Sequence, residues 1–463
     1  MIVKIKKLDI IANHKFARCD FKFWKTKDVV IFKNFTRLKE LFYIISGSVQ
    51  TENYSDVTTS IPYIRIGDMD YKFGISKENI IYLSENAKIA KNKLLKENDL
   101  VLATIGATVG KIGVANNCIG GTHSNNTVVL RAKTPNLNIR FYEKLFQSNF
   151  YINYIFGVVA QKAQPNLQDY EIKNLLIPII NKTIIEKAVK DFKPIENKIT
   201  ELKATIKPVQ QIIDEVFQKE FHFDYDKFEE LKKISRFNIA IEDFSNNSDL
   251  RFSAKFHRSA GEFVKQELAK ITDKKIKHFL VEPITLGASV SPSDYDENGD
   301  YHYLSMATIK DWDYNNEEAQ LVSDTYALSK ADKTICKNDI ILARSGEGTI
   351  GKVALIEDED VKAVFADFTM RIRLKNYNQK FAYYYMRSMY FQYLVEVYKK
   401  GLGNNTNIFP IVIREFPLPD ISLDAQQRFV DKIQSEIDKQ TEIKNQISAL
   451  RNQIDDIITE ILK

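Results

Sequence analysis

The strongest constraint on the fold of this chain is that its sequence repeats once. Gly47 corresponds to Gly287, and the stretch NDLVLA at residues 98–103 corresponds to NDIILA at residues 338–343, each at an offset of 240 residues. The pairs that follow at an offset of 241 residues are Gly110-Lys111 with Gly351-Lys352, Ile177-Pro178 with Leu418-Pro419, and Val189 with Val430. Matches in one order at a nearly constant offset predict two copies of one structural unit.

Each copy is β-rich at its start and helical at its end. Residues 61–66, 99–105 and 127–131 place β-branched and aromatic residues between turns of Gly, Asn and Asp, which is typical of strands. Apolar residues then recur at spacings of mostly three and four, which indicates a long helix. These residues are Val189, Phe192, Ile199, Leu202, Ile206, Val209, Ile213 and Val216 in the first copy, and Val430, Ile433, Ile437, Ile447, Leu450, Ile454, Ile457 and Ile461 in the second.

A helix with such an apolar seam needs a partner helix, and each copy supplies one. The expected fold is therefore α/β (α+β), with two similar β-rich domains, each followed by a long helix. We expect the two helices to pack as an antiparallel coiled coil with pseudo-twofold symmetry. Gln440 interrupts the second seam. Pro194 and Pro208 predict a break or kink in the first helix, because proline lacks the backbone donor that a helix requires.

Composition narrows the class of protein without deciding its partner. A length of 463 residues favours two or more domains, and a net charge of +5 permits a polyanionic partner without demanding one. Three cysteines without a C-x-x-C pair indicate neither a disulfide framework nor a zinc site. The first residues lack the pattern of a signal peptide, and no apolar stretch is long enough to span a membrane. We therefore expect a cytoplasmic protein without a membrane partner.

One stretch has the spacing of a phosphate-binding loop. Residues 346–352 read G-x-x-x-x-G-K, but Val353 stands where a Ser or Thr would hold magnesium, and the equivalent residues 106–111 are one residue shorter. We therefore expect a glycine-rich turn between strands. The histidines have no metal-ligand spacing, and no N-P-P-Y-like methyltransferase motif or dinucleotide fingerprint is present. The chain is predicted to be non-catalytic, with no metal or cofactor of its own.

Polar loops remain as candidates for DNA binding. Asn and Gln amides can pair bidentately with adenine, and Arg or Lys can contact guanine or phosphate. The same residue types also favour ordinary turns, so this alternative stays open. We expect Lys111 and Lys352 to contact phosphate. The complete set of candidate DNA-binding residues is Arg65, Thr104, Thr108, Lys111, His123, Asn125, Asn126, Lys162, Gln164, Ser305, Thr308, Arg344, Ser345, Thr349, Lys352, Asn404 and Asn405.

The order of these motifs resembles the specificity subunits of type I restriction-modification systems. The resemblance spans both copies. In the first copy it is carried by the segment from Arg18 to Trp24, by IPYIRIGD at 61–68, by NDLVLATIGATVGK at 98–111, by QPNL at 164–167, by the Ile177-Pro178 pair, and by the long helix that follows.

This resemblance implies an arrangement of domains and a set of partners. It implies target recognition domain 1 at 1–181, a central spacer helix at 182–220, a linker with target recognition domain 2 at 221–421, and a C-terminal spacer helix at 422–463. Each domain would recognise one half of a bipartite site in double-stranded DNA. Two methyltransferase subunits and the restriction (translocase) subunits would be the protein partners in a prokaryotic cytoplasm. S-adenosylmethionine, ATP and Mg are then expected on those partners only.

Two alternatives remain open from the sequence. The chain could be the specificity subunit of a type IIB-like system that serves a fused nuclease-methylase. A coiled-coil scaffold that binds only proteins is the alternative from another class, and it predicts no salt-sensitive affinity for DNA.

Overall fold

The structure is a computed structural model. It describes residues 34–48, 54–55, 61–76, 80–159, 165–242, 251, 253–317, 319–346, 348–401 and 405–463. The segment from Arg18 to Trp24, and the candidates Lys162, Gln164 and Asn404, lie outside the described residues.

Contacts divide the chain into two compact units. Unit 1 comprises residues 1–205 and 443–463, and unit 2 comprises residues 206–442. Each unit therefore combines a β-rich region with parts of both helical segments.

In unit 1, strands β2, β11, β8 and β9 form one sheet, and β10, β4, β7 and β3 form a second, each in that order. The strands are β1 Phe35–Arg37, β2 Phe42–Ser46, β3 Tyr54–Ser55, β4 Ile61–Ile64, β5 Met69–Asp70, β6 Gly74–Ile75, β7 Ile81–Leu83, β8 Leu100–Ala103, β9 Ile112–Val114, β10 Thr122–His123, β11 Thr127–Ala132 and β12 Leu176–Pro178. The helices are α1 Leu38–Leu41, α2 Ile139–Gln147, α3 Asn149–Val159, α4 Asp169–Lys173 and α5 Lys182–Ala204.

In unit 2, strands β13, β21, β18 and β19 form one sheet, and β17, β14 and β20 form a second. The strands are β13 Thr285–Leu286, β14 Tyr301–Leu304, β15 Ile309–Lys310, β16 Asp313–Tyr314, β17 Leu321–Val322, β18 Ile340–Ala343, β19 Val353–Leu355, β20 Ala363–Phe365 and β21 Thr369–Ile372. The helices are α6 Val209–Phe221, α7 Tyr225–Lys233, α8 Ala254–His257, α9 Ser259–Ala269, α10 Asp324–Ser329, α11 Gln379–Arg387, α12 Met389–Tyr398 and α13 Pro410–Ile413, and α14 Leu423–Leu462 ends in unit 1.

The two units have the same topology, which confirms the duplication. The sheet β2-β11-β8-β9 corresponds strand for strand to β13-β21-β18-β19. The parallel pair β4 and β10 corresponds to β14 and β20, since Tyr63 faces Thr122 as Tyr303 faces Val364. The fold is α+β, as the sequence predicts.

Individual interactions repeat with the fold. In unit 1 the Arg131 guanidinium donates to both carboxylate oxygens of buried Asp99, at 2.9 and 2.7 Å. In unit 2 Arg373 does the same to buried Asp339, at 2.7 and 2.8 Å. These charge-assisted hydrogen bonds to the carboxylate raise the pKa of both arginines. Each pair joins the residue just before β8 or β18 to a residue within β11 or just after β21, so the same contact stabilises both central sheets.

The two glycines at the start of the repeat are required by close backbone approach. A Cβ at Gly47 would lie 1.9 Å from the carbonyl oxygen of Ser124, and one at Gly287 would lie 2.1 Å from that of Phe365. Backbone atoms of a sheet cannot move away by the distance that a methyl group needs. Only glycine therefore fits where the chain leaves β2 or β13.

The long helices pair antiparallel within unit 2. The Phe217 ring lies 5.2 Å from the Phe429 ring, and Lys432 forms an ion pair with Glu220 at 2.7 Å. Further along, the N–H of Lys207 donates to Gln440 Oε1 at 2.9 Å. Residue numbers therefore rise along α6 as they fall along α14, which confirms the predicted antiparallel packing.

In unit 1, residues of both long helices lie against one aromatic ring. The side chains of Lys203 in α5 and Arg451 in α14 both lie against the Phe73 ring, with the cations 4.1 and 4.9 Å from its centroid. Buried residues recur every seven positions on both helices, as a coiled-coil seam requires. They are Ile185, Phe192 and Ile199 on α5, and Ile433, Gln440, Ile447 and Ile454 on α14.

The first helical segment is broken, and the break explains the polar residue in the seam. Helix α5 ends at Ala204 and α6 begins at Val209, with Pro208 at its N-cap, whereas Pro194 lies inside the continuous α5. Buried Gln440 accepts the backbone N–H of Lys207 within this break. The predicted break is therefore confirmed at Pro208, and Gln440 satisfies a donor that the break leaves outside the helix.

Candidate nucleic-acid interface

Three loops meet at one end of strand β8 in unit 1. The N–H of Thr104 donates to the carbonyl of Asn126 at 3.0 Å, and the N–H of Leu167 donates to the carbonyl of Thr104 at 2.8 Å. A third bond joins the N–H of Gly106 to the carbonyl of Pro165 at 2.7 Å. Residues 104–111, 124–127 and 165–168 are called the first loop cluster.

The second unit repeats this arrangement bond for bond. The N–H of Arg344 donates to the carbonyl of Phe368 at 3.0 Å, and the N–H of Ile408 donates to the carbonyl of Arg344 at 2.9 Å. The N–H of Gly346 donates to the carbonyl of Thr406 at 3.1 Å. Residues 344–346, 348–352, 366–369 and 405–409 are called the second loop cluster. The scaffold of the two clusters is the same, although their side chains differ.

The G-x-x-x-x-G-K stretch forms the turn of the second cluster. Gly346, Gly348 and Gly351 have φ of 86°, 84° and 88°, the left-handed region that glycine adopts without strain. The stretch leads directly into strand β19, whereas a phosphate-binding loop leads into a helix whose N-terminus faces the phosphates. The structure therefore confirms a glycine-rich turn between strands.

In the first cluster, two asparagines and a lysine reach the surface. Asn125 is exposed, and Asn126 and Lys111 are half-buried. The Lys111 ammonium lies 5.6 Å from the centroid of Tyr71, whose hydroxyl donates to the carbonyl of Ala107 at 2.8 Å. The tyrosine thus connects this lysine to the turn that carries it.

Two threonines of the first cluster hydrogen-bond within the loops. Buried Thr104 donates its hydroxyl to the carbonyl of Asn126 at 3.0 Å, and Thr108 donates to the carbonyl of Ile105 at 2.8 Å. These contacts shape the backbone on which the asparagines lie.

The structure places His123 inside the protein, which corrects its prediction as a DNA contact. Its side chain has 0% exposure, and its Nδ1 lies 2.9 Å from the Thr127 hydroxyl oxygen. Because that hydroxyl donates to the carbonyl of Ser124 at 2.8 Å, it accepts from the Nδ1–H of a neutral imidazole. Burial, with the nearby Lys93 charge, lowers the pKa of His123 to about 4. A side chain without exposed surface cannot touch DNA in this conformation.

The loop after β4 lies beside the first cluster, and its counterpart after β14 lies beside the second. Arg65 donates through Nη2 to Asp68 at 3.0 Å. In unit 2, Ser305 accepts the N–H of Ala307 at 3.2 Å, and Thr308, 3% exposed, donates to the carbonyl of Ser305 at 2.8 Å. Thr308 therefore shapes this turn from inside.

In the second cluster, the hydroxyls fasten the glycine-rich turn. Buried Ser345 donates to the carbonyl of Thr406 at 3.2 Å, and Thr349 donates to the carbonyl of Ser345 at 2.7 Å. Asn405 is exposed, and Lys352 is half-buried next to Gly351. Lys352 and Asn405 thus have surface for a ligand, while Ser345 is buried in the turn.

Arg344 is surrounded by residues that the sequence did not single out. Its Nε donates to the carbonyl of Asp367 at 2.8 Å, and its Nη1 donates to Asn407 Oδ1 at 3.2 Å. The rings of Phe368 and Phe409 lie near this guanidinium, with centroids 5.6 and 5.9 Å from the Arg344 Cζ. The sequence repeat contains a signal for both rings, since Phe368 and Phe409 align with polar residues of the first copy, Asn126 and Gln168.

The fold and the loop clusters together define the class of this protein. The chain has two similar α+β units with paired long helices, and each unit carries a surface cluster of amide and cationic side chains. The described residues contain no group of three or more His, Cys, Asp or Glu side chains that could hold a metal ion. Among helices in the described part of the chain, none combines the length and apolarity needed to cross a membrane.

Comparison with known proteins identifies the family. The sequence model described as type I restriction modification DNA specificity domain matches residues 33–210 and 281–451, once in each copy. The chain belongs to this family, whose function is the recognition of DNA sequence. No curated protein gives a match.

Three solved structures align with more than nine-tenths of this chain. The S subunit of a type I restriction-modification system from M. genitalium is 12% identical, with 92% of this chain and 95% of that chain covered and a TM-score of 0.39. A chain solved for the complex assembly and conformational transition of the type I R-M system is 14% identical, with 93% and 96% covered and a TM-score of 0.45. The HsdS subunit from Thermoanaerobacter tengcongensis is 14% identical, with the same coverage and a TM-score of 0.32.

Proposed function

We propose that each unit recognises one half of a bipartite site in double-stranded DNA through its loop cluster. The observation that carries this proposal is one loop scaffold with two sets of side chains. The backbone bonds of Thr104 repeat at Arg344, while the neighbouring Asn126 is replaced by Phe368. A constant scaffold with different surface groups is suited to binding two different sequences in the same orientation.

The exposed groups of both clusters are suited to base edges and phosphates. Amides can donate and accept at adenine, arginine can donate to guanine, and lysine is a point charge for phosphate. The proposed contacts are Arg65, Thr108, Lys111, Asn125 and Asn126 in unit 1, and Ser305, Arg344, Thr349, Lys352 and Asn405 in unit 2. Lys162, Gln164 and Asn404 remain proposed contacts from the sequence. Buried Thr104, His123, Thr308 and Ser345 support the loops from inside.

Chemistry on the DNA would come from other polypeptides. The family and the paired helices support a role in which this chain directs two methyltransferase subunits, and restriction subunits where they occur, to the recognised site. S-adenosylmethionine, ATP and Mg would be bound by those partners. This chain would contribute the choice of sequence and the distance between the two half-sites.

Methylation mapping tests this proposal directly. The genome of the source organism would be mapped with the gene intact, with it deleted, and with it restored on a plasmid. We expect one methylated motif made of two specified parts and an unspecified spacer, lost on deletion and regained on complementation. An unchanged set of methylated motifs, or a lost motif that is continuous, would contradict the proposal.

The distinction from the two alternatives needs further measurements. A fused nuclease-methylase purified with the tagged chain would indicate a type IIB-like system instead. If the complex of this chain with its copurified methyltransferase bound DNA with no dependence on salt, or not at all, a protein-only scaffold would be the better description.

A further inference from the structure

The guanidinium of Arg344 is held in place by neutral partners. Its two hydrogen bonds go to the carbonyl oxygen of Asp367 and the amide oxygen of Asn407. A guanidinium has five N–H groups, so in the described part of the chain these bonds use two of them and orient the rest. Because neither of these acceptors is a carboxylate, the guanidinium forms no ion pair through these two hydrogen bonds.

Two phenylalanine rings border this cation and are exposed. Phe368 is 47% exposed and Phe409 is 40% exposed, and both ring centroids lie within 6 Å of the Arg344 Cζ. Large apolar side chains exposed together around one polar group are typical of a binding surface.

This combination fits the edges of two neighbouring bases better than a phosphate. Guanine presents O6 and N7 side by side in the major groove, and the arginine fork donates to both, while thymine presents a methyl group that packs against apolar side chains. A phosphate is strongly hydrated and would gain nothing from two phenylalanine rings. The ligand chemistry is therefore a guanine whose neighbour carries a methyl group.

The feature belongs to unit 2 alone. The positions equivalent to Arg344, Phe368 and Phe409 are Thr104, Asn126 and Gln168, which supply neither a cation nor a ring. We propose that the half-site of unit 2 contains a guanine next to a thymine, an inference that rests on the proposed function. Arg344 donates to that guanine, and Phe368 and Phe409 contact the thymine methyl group.

Mapping of methylated motifs in variants tests the guanine contact. We expect Arg344→Ala to relax the motif at one guanine of one half-site and leave the other half unchanged. Arg344→Lys keeps the charge without the fork, so it should relax the same position, whereas a phosphate contact would be rescued by lysine. Arg236→Ala, at an exposed arginine of unit 2 outside the loop cluster, is the matched control and should leave the motif unchanged.

Modified DNA tests both contacts with the unaltered protein, so that no result depends on a variant that fails to fold. In duplexes of the mapped motif, 7-deazaguanine at the predicted guanine should weaken binding of the intact complex about tenfold or more. Uracil at the adjacent thymine should weaken it about threefold to fourfold. The Phe368→Ala/Phe409→Ala double variant should bind the thymine and uracil duplexes equally.

The outcomes separate this inference from the proposed function. If deletion of the gene removes a bipartite motif in which neither half contains adjacent guanine and thymine, the inference is wrong and the function stands. The same conclusion follows if Arg344→Lys restores the motif or if 7-deazaguanine has no effect. If deletion removes no motif, the proposed function itself fails.

Discussion

Unit 1 should lose stability as the pH falls below about 6.5, because it buries a neutral histidine. In the fold the pKa of His123 is about 4, while in the unfolded chain it returns to the usual 6.5. Between these values the unfolded state binds a proton that the folded state excludes, so the stabilisation is complete above pH 6.5 and decreases as the pH approaches 4. At pH 5 the loss is about 2 kcal/mol, or roughly thirtyfold in the unfolding equilibrium.

The geometry explains why protonation is resisted. The Nδ1–H of His123 already donates to Thr127, and Nε2 is buried without a hydrogen-bond partner among the described residues. A second N–H at Nε2 would therefore face no acceptor inside the protein. Unit 2 has Phe365 at the equivalent position of β20, where nothing titrates.

Hydrogen exchange of the intact chain measures this effect in both units at once. Amides of β11 should lose protection between pH 8 and pH 5, after correction for the intrinsic pH dependence of exchange, while those of β21 should not. His123→Phe, which introduces the residue used by unit 2, should remove the difference. Equal losses in the wild type and this variant, or an NMR titration of His123 near 6.5, would refute the reasoning.

Two further predictions concern the scaffold. Asp99→Asn should lower the free energy of unfolding by about 2 to 3 kcal/mol, because it leaves the Arg131 guanidinium, only 19% exposed, without its carboxylate. Urea denaturation would measure this loss, and an unchanged midpoint would contradict it. Gly47→Ala should cost at least about 3 kcal/mol because its Cβ would overlap a backbone oxygen, whereas Gly67→Ala, which meets nothing within 4 Å, should shift the urea midpoint little. Similar midpoints for these two variants would show that the turn after β2 can move.

Part of the candidate site was predictable from sequence because turns have local signatures. The glycine pattern at 346–352 predicted a turn, and the structure places these glycines in the turn of the second loop cluster, before strand β19. The exposure of each side chain was not predictable. His123 and Asn125 are two residues apart, yet one is buried in β10 and the other lies on the surface. The difference arises because β10 ends at His123, whereas Asn125 lies in the turn before β11.

The sequence by itself determined that the chain folds as two copies of one unit, each with a β-rich part, and that its helices pair through a seven-residue seam. Repeated spacing and apolar periodicity are properties of the chain alone, so no tertiary contact is needed to recognise them. The tertiary structure decided which residues surround Arg344 and why a glutamine lies in the seam. Phe409 is 65 residues from Arg344, and Gln440 is 233 residues from Lys207. Contacts between segments so far apart arise only when strands and helices pack, because no local pattern specifies which distant residue fills a given space.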